Sequence, residues 1–560
     1  MNILGLNGWN NRSHDAAACI IKNNRLIFAV EEERIVRKKH SFDLTPIQSI
    51  LYALKYSNLT IDDIDLITFG WDFTKWFGER IPNKKEILNT LLPKNVFSYR
   101  KNPDLILVPH HLAHAYYSYY SSPFVNQKSA ILIIDGQGER ESTSFGYASG
   151  NKISLDFSLP ASQSLGYFYE AACRFLGYSN LDGGKLMGLA GYGKQGNSEF
   201  GRKLNYHKQK LSGFPNFVAK GIDVEEETIN WWTKYFEKIF SLQPKKNKYK
   251  FSSSFKFEKE RDNNTEGEYI TIAHTVQQVL EKVILQMASE LKDNYRTDKL
   301  VLGGGVTLNC SVNQKIINVH KIKLYIPSSP ADSGVAIGAA IYGVRQHNKK
   351  SILGLQSPYL GPEYTNNEVK KLLNRNKIAY SYTKNPDDIA ASLLEKNYLL
   401  GWFQGKMEFG PRALGNRSIL ANPLFKENKY RLNKLKRREP WRPLGVSIIE
   451  EEVKNYFETK NISPYMMTAV RVNEKLRKMC PAVVHIDGTS RPQLVKKDDN
   501  LTFYNLIKKF GKLSGLPIVI NTSFNRYDEP IVNSPEDALR TFFTTSLDAL
   551  ILNNYVITKR

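Results

Sequence analysis

One arrangement occurs twice in the first third of the sequence, and it constrains the fold more than any other feature. An apolar strand that ends near glycine and a polar residue is followed by two strands joined by a turn. The first copy reads NILGLNG and then AAACIIKNNRLIFAVEEER, with its turn at 22–25. The second reads SAILIIDGQGERESTSFGYASGNKISLDFSL, with its turn at 149–152. The repeat predicts an α/β domain built from two similar halves.

Helical and glycine-rich segments after these strands favour one superfamily. Hairpin units followed by helices suggest the duplicated domain of the actin/hexokinase/Hsp70 superfamily, whose two halves face one another across a cleft. Helical periodicity is clear at Ile270–Leu291, and the apolar strand that follows ends in Gly303, Gly304 and Gly305. Such a turn lets the backbone approach a ligand closely, as phosphate-binding turns require, although a glycine-rich turn without a ligand is equally common.

The length and one polar segment predict two domains. A chain of 560 residues exceeds the size at which one hydrophobic core stops growing. The segment 345–362 (RQHNKKSILGLQSPYLGP) is polar, basic and punctuated by Gly and Pro. We therefore predict a first domain at 1–350 and a second α/β domain at 351–560.

Four residues form a candidate metal site. His110 and His114 in VPHHLAHAYYSYY are four residues apart, so on a helix they project from one face. Asp135 follows an apolar run, and Asp332 lies in the glycine-rich stretch SSPADSGVAIGAA. Two histidines and two aspartates suit a divalent ion with open positions better than a closed structural zinc site. An isolated HxxxH is more often part of a packed helix, and the remaining motifs favour the metal interpretation.

Charge and cysteine content limit the functional classes. The net charge of +23 invites a nucleic-acid interpretation, but no zinc-finger, helix-turn-helix or RNP pattern accompanies it. Part of the charge lies in the low-complexity segment Gln243–Arg261, which we predict to be an exposed insertion. The four cysteines (Cys19, Cys173, Cys310 and Cys480) form no CxxC pair, which argues against a disulfide scaffold. No apolar run reaches membrane-spanning length and no signal peptide is evident, so we expect a cytoplasmic protein without membrane contact.

The second predicted domain concentrates cations in segments rich in glycine and proline. Arginine matches phosphate oxygens bidentately, whereas lysine acts as a point charge. After the apolar strand LPIVI, side-chain oxygens and backbone amides could hold a phosphate or a ribose. The cations are Lys406, Arg412, Arg417, Lys436, Arg438, Arg442 and Arg491, and the residues after the strand are Asn521, Thr522 and Ser523.

Taken in order along almost the whole chain, these segments resemble one known family. The motifs are NGW with SHDAA, EEER with RKKH, HHLAHA, DGQGE, GKLMGLAGYG, GGGVTLN, EFGPRALGNRSI, HIDGTSRPQ and NTSFN. They resemble the O-carbamoyltransferases of the NodU/CmcH/TobZ type. In that family the N-terminal domain is similar to TsaD and the C-terminal domain to YrdC. The resemblance implies that ATP and carbamoyl phosphate give carbamoyl adenylate in the C-terminal domain, and that the N-terminal domain transfers the carbamoyl group to a hydroxyl.

The resemblance also implies roles for individual residues. His110, His114, Asp135 and Asp332 would hold the metal, which in the family is iron(II), although the ligand set would accept other divalent ions. His14 is the candidate to deprotonate the acceptor hydroxyl or to stabilise the oxyanion, and His111 stays unassigned. Lys436 and Arg442 would neutralise the charge on departing pyrophosphate. The residues that would bind ATP, with Mg²⁺, and the carbamoyl donor are Arg412, Arg491, Asn521 and Ser523. Those that would line the nucleotide part of the transferase cleft are Lys185, Met187, Gly303 and Gly304.

Two other functions remain open at this point. A tRNA-modifying fusion of the threonylcarbamoyl type would explain the positive charge, and it predicts salt-dependent tRNA binding and use of threonine with bicarbonate. A non-catalytic, actin-like nucleotide-binding scaffold would bind nucleotide without turnover and would leave the cations of the second domain unexplained. The leading hypothesis is a carbamoyltransferase of small-molecule biosynthesis that acts on a natural product or a sugar. We do not expect a nucleic-acid partner, and the acceptor and a homodimeric state are left open.

Overall fold

A computed structural model describes residues 1–10, 13–75, 81–150, 152–194, 196–217, 224–245, 265–347, 357–459 and 461–559. Up to residue 347 the strands are β1 Asn2–Asn7, β2 Ala17–Lys22, β3 Arg25–Glu31, β4 Leu66–Phe69, β5 Asp104–Leu107, β6 Ser129–Ile134, β7 Glu141–Ser149, β8 Lys152–Pro160, β9 Asn205–His207, β10 Lys210–Ser212, β11 Lys299–Gly303 and β12 Lys323–Tyr325. The helices there are α1 Glu32–Val36, α2 Ile47–Ser57, α3 Lys84–Leu91, α4 His110–Tyr120, α5 Leu165–Phe175, α6 Gly183–Ala190, α7 Ser198–Lys203, α8 Val224–Phe240, α9 Thr265–Tyr295, α10 Cys310–His320 and α11 Ser333–His347.

From residue 357 the strands are β13 Ser381–Tyr382, β14 Leu400–Phe403, β15 Arg417–Ala421, β16 Gly445–Ile449, β17 Val470–Arg471, β18 Thr489–Val495, β19 Ile518–Ser523, β20 Ala549–Leu552 and β21 Tyr555–Thr558. The helices are α12 Asn366–Arg375, α13 Pro386–Glu395, α14 Asn428–Leu435, α15 Glu474–Met479, α16 Leu501–Ser514 and α17 Pro535–Phe543. Most of the basic segment Gln243–Arg261 lies outside the described residues.

The predicted duplication is present in the order of the strands. In the first copy, β1 pairs in parallel with β4 and β4 with β5, while β2 and β3 form an antiparallel hairpin. In the second, β6, β7 and β8 are antiparallel neighbours, and β6 pairs in parallel with β11, which pairs with β12. Both hairpin turns fall where the sequence predicts them, and the predicted helix at 270–291 lies within α9. The α/β class and the duplicated first domain are therefore confirmed.

Contacts divide the chain into two units, and one of their boundaries lies near the predicted domain boundary at residues 350 and 351. Unit 1 contains Met1–Asn7 and Ile61–Ile352, and unit 2 contains Gly8–Thr60 and Leu353–Arg560. Within unit 2, the backbone amide of Ala29 donates to the carbonyl of Leu360 at 3.0 Å, and Arg34 Nη2 donates to the carbonyl of Gly410 at 2.8 Å. Residues 8–60 thus group with the C-terminal residues. The assignment of separate functions to 1–350 and 351–560 stays a prediction.

In unit 1, a close contact between two helices positions the candidate metal ligands. A Cβ at Gly338 of α11 would lie 1.8 Å from the carbonyl oxygen of Ala113 in α4, so only glycine allows this approach. Buried side chains of the same two helices, Val335, Ala339 and Ala113, pack together. The start of α11, which Asp332 immediately precedes, is thereby held against α4.

In unit 2, a nine-stranded mixed sheet carries the C-terminal candidate residues. Its order is β13-β21-β20-β14-β15-β19-β16-β18-β17. Side chains alternate between its two faces, so Phe403 enters one buried cluster with α12 and α17, and Trp402 enters another with α13 and α16. Both faces are therefore covered by helices.

The structure also bears on membrane-spanning helices and on disulfides. No helix among the described residues is both long and apolar enough to cross a membrane. All four cysteines lie in the described ranges and are buried without forming a disulfide. A disulfide scaffold is therefore excluded.

Candidate active site

Four predicted metal ligands converge in unit 1. His110 is the first residue of α4 and His114 lies one turn later, while Asp135 directly follows β6 and Asp332 directly precedes α11. All four are buried, and one potential ligand atom from each lies within 4.8 Å of all the others. One strand end and the starts of two helices therefore bring together residues that are more than two hundred positions apart.

The donor atoms point at a common position. Nε2 of His114 lies 3.0 Å from Oδ2 of Asp135, and Nε2 of His110 lies 3.3 Å from the same oxygen. The two Nε2 atoms are 3.1 Å apart. Oδ1 of Asp332 lies 3.7 Å from Nε2 of His110 and 3.8 Å from Nε2 of His114. Two nitrogens and two carboxylates in this arrangement fit a divalent cation that keeps open positions for a substrate.

Neighbouring groups orient two of these ligands. His110 Nδ1 lies 3.1 Å from the carbonyl oxygen of Gly70, an acceptor that places the ring proton on Nδ1 and leaves Nε2 as a ligand atom. Oδ1 of Asp135 accepts backbone N–H groups of Gly136 and Gly305, each at 2.9 Å. Oδ2 of Asp135 is thereby directed towards the histidines. These outer contacts are of the kind that fix ligand geometry in metal sites.

The charge balance of the site favours a bound cation. Burial raises the pKa of Asp135, but the histidines His110 and His114 outweigh burial and hold that pKa well below its ordinary value. Burial lowers the pKa of His110, and the carboxylates of Asp332 and Asp135 outweigh it and raise that pKa well above the ordinary value. Two buried carboxylates are thus stabilised by positive charge at this point, which a divalent ion would supply in place of a histidine proton.

Three further residues, Asn7, Trp71 and Glu139, lie around the predicted ligands and were given no role from the sequence. Trp71 stacks on the His110 ring at a centroid distance of 3.9 Å, and its Nε1 donates to Oδ1 of Asn7 at 3.1 Å. Glu139 accepts the backbone N–H of His110 at 2.9 Å and so caps α4, and burial raises its pKa to about 7. Glu139 belongs to the DGQGE motif and could have been found there. Nothing in the sequence around Trp71 singled it out.

His111 does not join the four ligands. Its Nδ1 lies 2.7 Å from Oγ of Ser144, and burial lowers its pKa to about 4. Its Nε2 is buried and has no hydrogen-bond partner among the residues that the structure describes. The second histidine of the HH pair therefore faces β7 rather than the point on which the ligands converge.

The glycine turn and Lys185 make close contacts within unit 1. Gly304 has φ +90°, and a Cβ there would lie 2.3 Å from the carbonyl oxygen of Ile134. A Cβ at Gly303 would lie 2.7 Å from Oγ of Ser118. These glycines let the end of β11 approach α4 and β6. Nζ of Lys185 donates to Oδ2 of Asp182 at 2.8 Å, and Met187 lies beside Cys310. The nucleotide-binding role of these residues stays a prediction.

Unit 2 contains a buried lysine surrounded by other cations. Nζ of Lys436 donates to Oγ of Ser523 and to Oδ1 of Asn525, each at 2.8 Å, and also to the carbonyl of Ser523. Burial and the nearby charges of Arg438 and Arg442 hold the pKa of Lys436 well below its ordinary value. All of its partners are neutral oxygens, so its charge is not balanced by a carboxylate among them.

The same positive charge extends to further arginines. The pKa of Arg438 is lowered by burial and then by Arg442, Arg491 and, more weakly, Arg412, with Glu439 opposing the shift. Nη2 of Arg438 donates to Oγ1 of Thr522 at 3.2 Å. We call Arg412, Lys436, Arg438, Arg442 and Arg491 the cation cluster. One buried lysine and four partly buried arginines that repel one another form an arrangement that suits a multiply charged anion.

Sheet register places two of the predicted residues on one face. Gly445 of β16 is directly opposite Asn521 on one side and Arg491 on the other. Nδ2 of Asn521 donates to Oγ of Ser447 at 2.9 Å and to Oε1 of Gln493 at 3.0 Å. Asn521 is therefore held by the protein itself, while Ser523 at the end of β19 contacts Lys436. Arg438 and Asn525 join the predicted set; Arg438 was noted in the sequence without a role.

His14 lies in unit 2, between β1 and β2. Its Nδ1 lies 3.0 Å from Oδ2 of Asp15, and its side chain is 36% exposed. The sequence prediction placed His14 with the metal ligands in one domain, whereas contacts group it with the unit that holds the cation cluster.

Comparison with known proteins identifies the family. Residues 2–75 and 69–341 match the protein-family model described as Carbamoyltransferase N-terminus, and residues 391–559 match Carbamoyltransferase C-terminus. The chain therefore belongs to the carbamoyltransferase family and is a transferase, as the resemblance of its motifs predicted.

Relatives span almost the whole chain. Nodulation protein NolNO of Sinorhizobium fredii is 32% identical and is aligned over 98% of this chain and 79% of its own length. Uncharacterized protein MJ1051 of Methanocaldococcus jannaschii is 31% identical over 98% of both chains. Nodulation protein U of Sinorhizobium fredii is 25% identical over 92% of both chains. Among solved structures, HypF of T. kodakarensis is 14% identical over 63% of this chain and 49% of its own, with a TM-score of 0.34.

Proposed function

We propose that this carbamoyltransferase is an ATP-dependent O-carbamoyltransferase that works in two steps. In the first step, water cleaves carbamoyl phosphate to carbamate and phosphate, and a carbamate oxygen then attacks the α-phosphorus of ATP and displaces pyrophosphate to give carbamoyl adenylate. In the second step, a hydroxyl of a small-molecule acceptor attacks the carbamoyl carbon, loses its proton, and displaces AMP. The observation that carries the proposal is the cation cluster around Lys436.

The first step is assigned to the cation cluster because its charge requires an anion. Lys436 is buried and Arg438 is partly buried, their pKa values are both lowered, and each lies near further arginines. ATP, with Mg²⁺, and carbamoyl phosphate are anions of sufficient charge. Arg412, Arg491, Asn521 and Ser523 would bind these substrates, and Lys436 and Arg442 would neutralise the charge that develops on departing pyrophosphate. Adenylation gives the poorly electrophilic carbamate a good leaving group.

The second step is assigned to the four-ligand site of unit 1. His110, His114, Asp135 and Asp332 would hold a divalent ion, iron(II) by resemblance, which when bound would polarise the carbamoyl carbonyl. Trp71 covers one face of the His110 ring and limits the access of water to it. Lys185, Gly303 and Gly304 would contact the nucleotide. His14 would take the proton of the acceptor hydroxyl.

The acceptor is proposed to be a natural product or a sugar with a free hydroxyl. Two of the relatives are named nodulation proteins, which favours a dedicated small-molecule pathway over a general cellular substrate. We propose that the reaction takes place in the cytoplasm, where ATP and carbamoyl phosphate are available. A tRNA acceptor is the second candidate, and the net charge of +23 is the observation that favours it.

Pyrophosphate release tests the proposal and separates the candidates. Purified protein is incubated with ATP and Mg²⁺, without acceptor, and with either carbamoyl phosphate or threonine plus bicarbonate. Release that requires carbamoyl phosphate supports carbamoyl adenylate formation. Release only with threonine and bicarbonate would assign the protein to tRNA modification, and nucleotide binding without any release would favour the non-catalytic scaffold.

A further inference from the structure

We propose that Asp15 is a positioning residue that holds both His14 and His40 through their Nδ1 atoms, so that Nε2 of His14 faces the acceptor. This inference rests on the proposed function, because it assigns an orienting group to the proposed base. Oδ2 of Asp15 lies 3.0 Å from Nδ1 of His14, and Oδ1 lies 3.0 Å from Nδ1 of His40. Each carboxylate oxygen thus accepts a hydrogen bond from one imidazole.

Two loops that the backbone ties together build this arrangement. The N–H of Asp15 donates to the carbonyl of His40 at 2.6 Å, and the N–H of Asp43 donates to the carbonyl of Ser13 at 3.0 Å. Between them, the N–H of Ala16 donates to Oγ of Ser41 at 3.0 Å. The loops carry the SHDAA and RKKH motifs, so these motifs, far apart in the sequence, form one structural element.

The backbone at these positions is strained. Asp15 has φ 54°, His40 has φ 61° and Ser41 has φ 40°, all in the left-handed region that non-glycine residues rarely adopt. This conformation is unfavourable for residues that carry a Cβ, so the surrounding bonds must hold them there. Strain of this kind is concentrated at sites where side-chain position matters more than stability.

The chemistry follows from which ring nitrogen carries the proton. A carboxylate that accepts from Nδ1 fixes the tautomer with a lone pair on Nε2 and makes that nitrogen more basic. The pKa of Asp15 is held below its ordinary range, because His40 and His14 outweigh the effect of burial, so the carboxylate is charged and able to accept from both rings. The two imidazole side chains are 36% and 29% exposed, and both lie beside the exposed ring of Phe42. A substrate can therefore reach them.

A metal ion is the competing explanation of this cluster. Ligand atoms of Asp15, Glu33 and His40 lie within 4.8 Å of one another. However, Glu33 already pairs with Arg34 at 2.8 Å and accepts the backbone N–H of His40 at 2.6 Å. The second loop also carries the cations Lys38 and Lys39, which do not favour another cation, while its other carboxylate, Asp43, is exposed. Hydrogen bonding therefore explains the cluster better than coordination.

Nitrogen NMR of the full-length protein with ¹⁵N-labelled histidine tests the geometry directly. Signals of His14 and His40 are assigned with the variants His14→Gln and His40→Gln. We expect both neutral rings to carry the proton on Nδ1, and Asp15→Asn to reverse at least one of them, because an amide has only one acceptor oxygen. Protons on Nε2 in the unaltered protein would overturn the proposal. A change of these signals on treatment with EDTA would overturn it in favour of a metal site.

The two half-reactions test the consequence. Asp15→Asn should lower AMP release at least ~100-fold, the usual contribution of a general base, while pyrophosphate–ATP exchange stays within about twofold. The exposed Asp43→Asn on the same segment is the matched control and should change neither rate. Equal loss of both rates, or no loss of AMP release, would overturn the positioning role. Absence of exchange in the unaltered protein would contradict the proposed function alone, because the NMR result still decides the geometry.

Discussion

The backbone N–H of Gly305 donates to Oδ1 of Asp135 at 2.9 Å, and this bond joins the glycine turn after β11 to a carboxylate after β6. The two strands are parallel neighbours, with Gly303 opposite Ile133. Oδ1 is therefore occupied by backbone donors, and Oδ2 is left to face His110 and His114. The glycine turn, which resembles a phosphate-binding element in sequence, thus helps to build the candidate metal site.

Replacement of Gly304 by alanine should damage this site. A Cβ at φ +90° would lie 2.3 Å from the carbonyl oxygen of Ile134, so the turn must move away from Asp135. We expect Gly304→Ala to destabilise the protein by about 2 kcal/mol or more, measured by denaturant unfolding. Gly201→Ala is the control, because a Cβ there meets nothing within 4 Å. Equal stability of the two variants would contradict the role given to the turn.

Loss of a proposed ligand should remove the metal. His114→Ala takes away one of four donors, and we expect the affinity for Fe²⁺ or Mn²⁺ to fall at least ~100-fold, since even outer contacts contribute about 10–100-fold. Metal content by elemental analysis and titration calorimetry measure the effect. His111→Asn changes a buried histidine of the same helix that faces Ser144, and it should retain the metal. Metal loss in both variants would indicate a general defect of α4.

Loss of the buried lysine should abolish anion binding in unit 2. Lys436→Ala removes the charge that faces Ser523 and Asn525, so stabilisation by pyrophosphate, measured as a shift in Tm, should disappear. Carbamoyl phosphate-dependent pyrophosphate release should disappear with it. Lys434→Ala, which changes an exposed lysine two residues earlier in the last turn of α14, is the matched control and should behave like the unaltered protein. An unchanged Tm shift in Lys436→Ala would place the anion elsewhere.

Anion binding should also take up a proton. The pKa of Lys436 lies below its ordinary 10.5 because of burial and neighbouring cations, and a bound phosphate would raise it again. Between the lowered pKa and 10.5, binding therefore transfers a proton from the buffer to the protein. Calorimetry in two buffers with different ionisation heats measures this proton, and it should be absent in Lys436→Ala. Proton release on binding would contradict the assignment.

His485 should make the protein sensitive to acid. Its Nδ1 lies 3.2 Å from Oγ1 of Thr489, and burial lowers its pKa to about 4 from 6.5. The unfolded chain takes up a proton near pH 6.5 and the folded chain only near 4, so stability falls as the pH drops through that window. Between pH 6.5 and 4, the free energy of unfolding of His485→Gln should fall by about 1–3 kcal/mol less than that of the unaltered protein. Urea unfolding at several pH values measures the difference. The control variant His207→Gln, at an exposed position, should lose as much stability in acid as the unaltered protein. Equal acid sensitivity of all three proteins would contradict the account.

The sequence predicts this molecule well where local patterns determine the geometry. The helical spacing of His110 and His114 and the strand-end position of Asp135 predicted three candidate ligands that the structure brings together, and turn residues located both hairpins. Contacts between distant segments could not be predicted in this way. Nothing local indicates that Trp71 stacks on His110, or that residues 8–60 group with the C-terminal unit through bonds such as Arg34 to Gly410.

The separation of the two steps is the central claim, and the His114→Ala variant tests it most directly. Pyrophosphate–ATP exchange with carbamoyl phosphate and AMP release are measured in parallel on the same protein. The account predicts that exchange continues at the unaltered rate, because the cation cluster is intact, while AMP release falls to the rate of spontaneous hydrolysis. Equal loss of exchange and AMP release would contradict the assignment of the two steps to separate sets of residues.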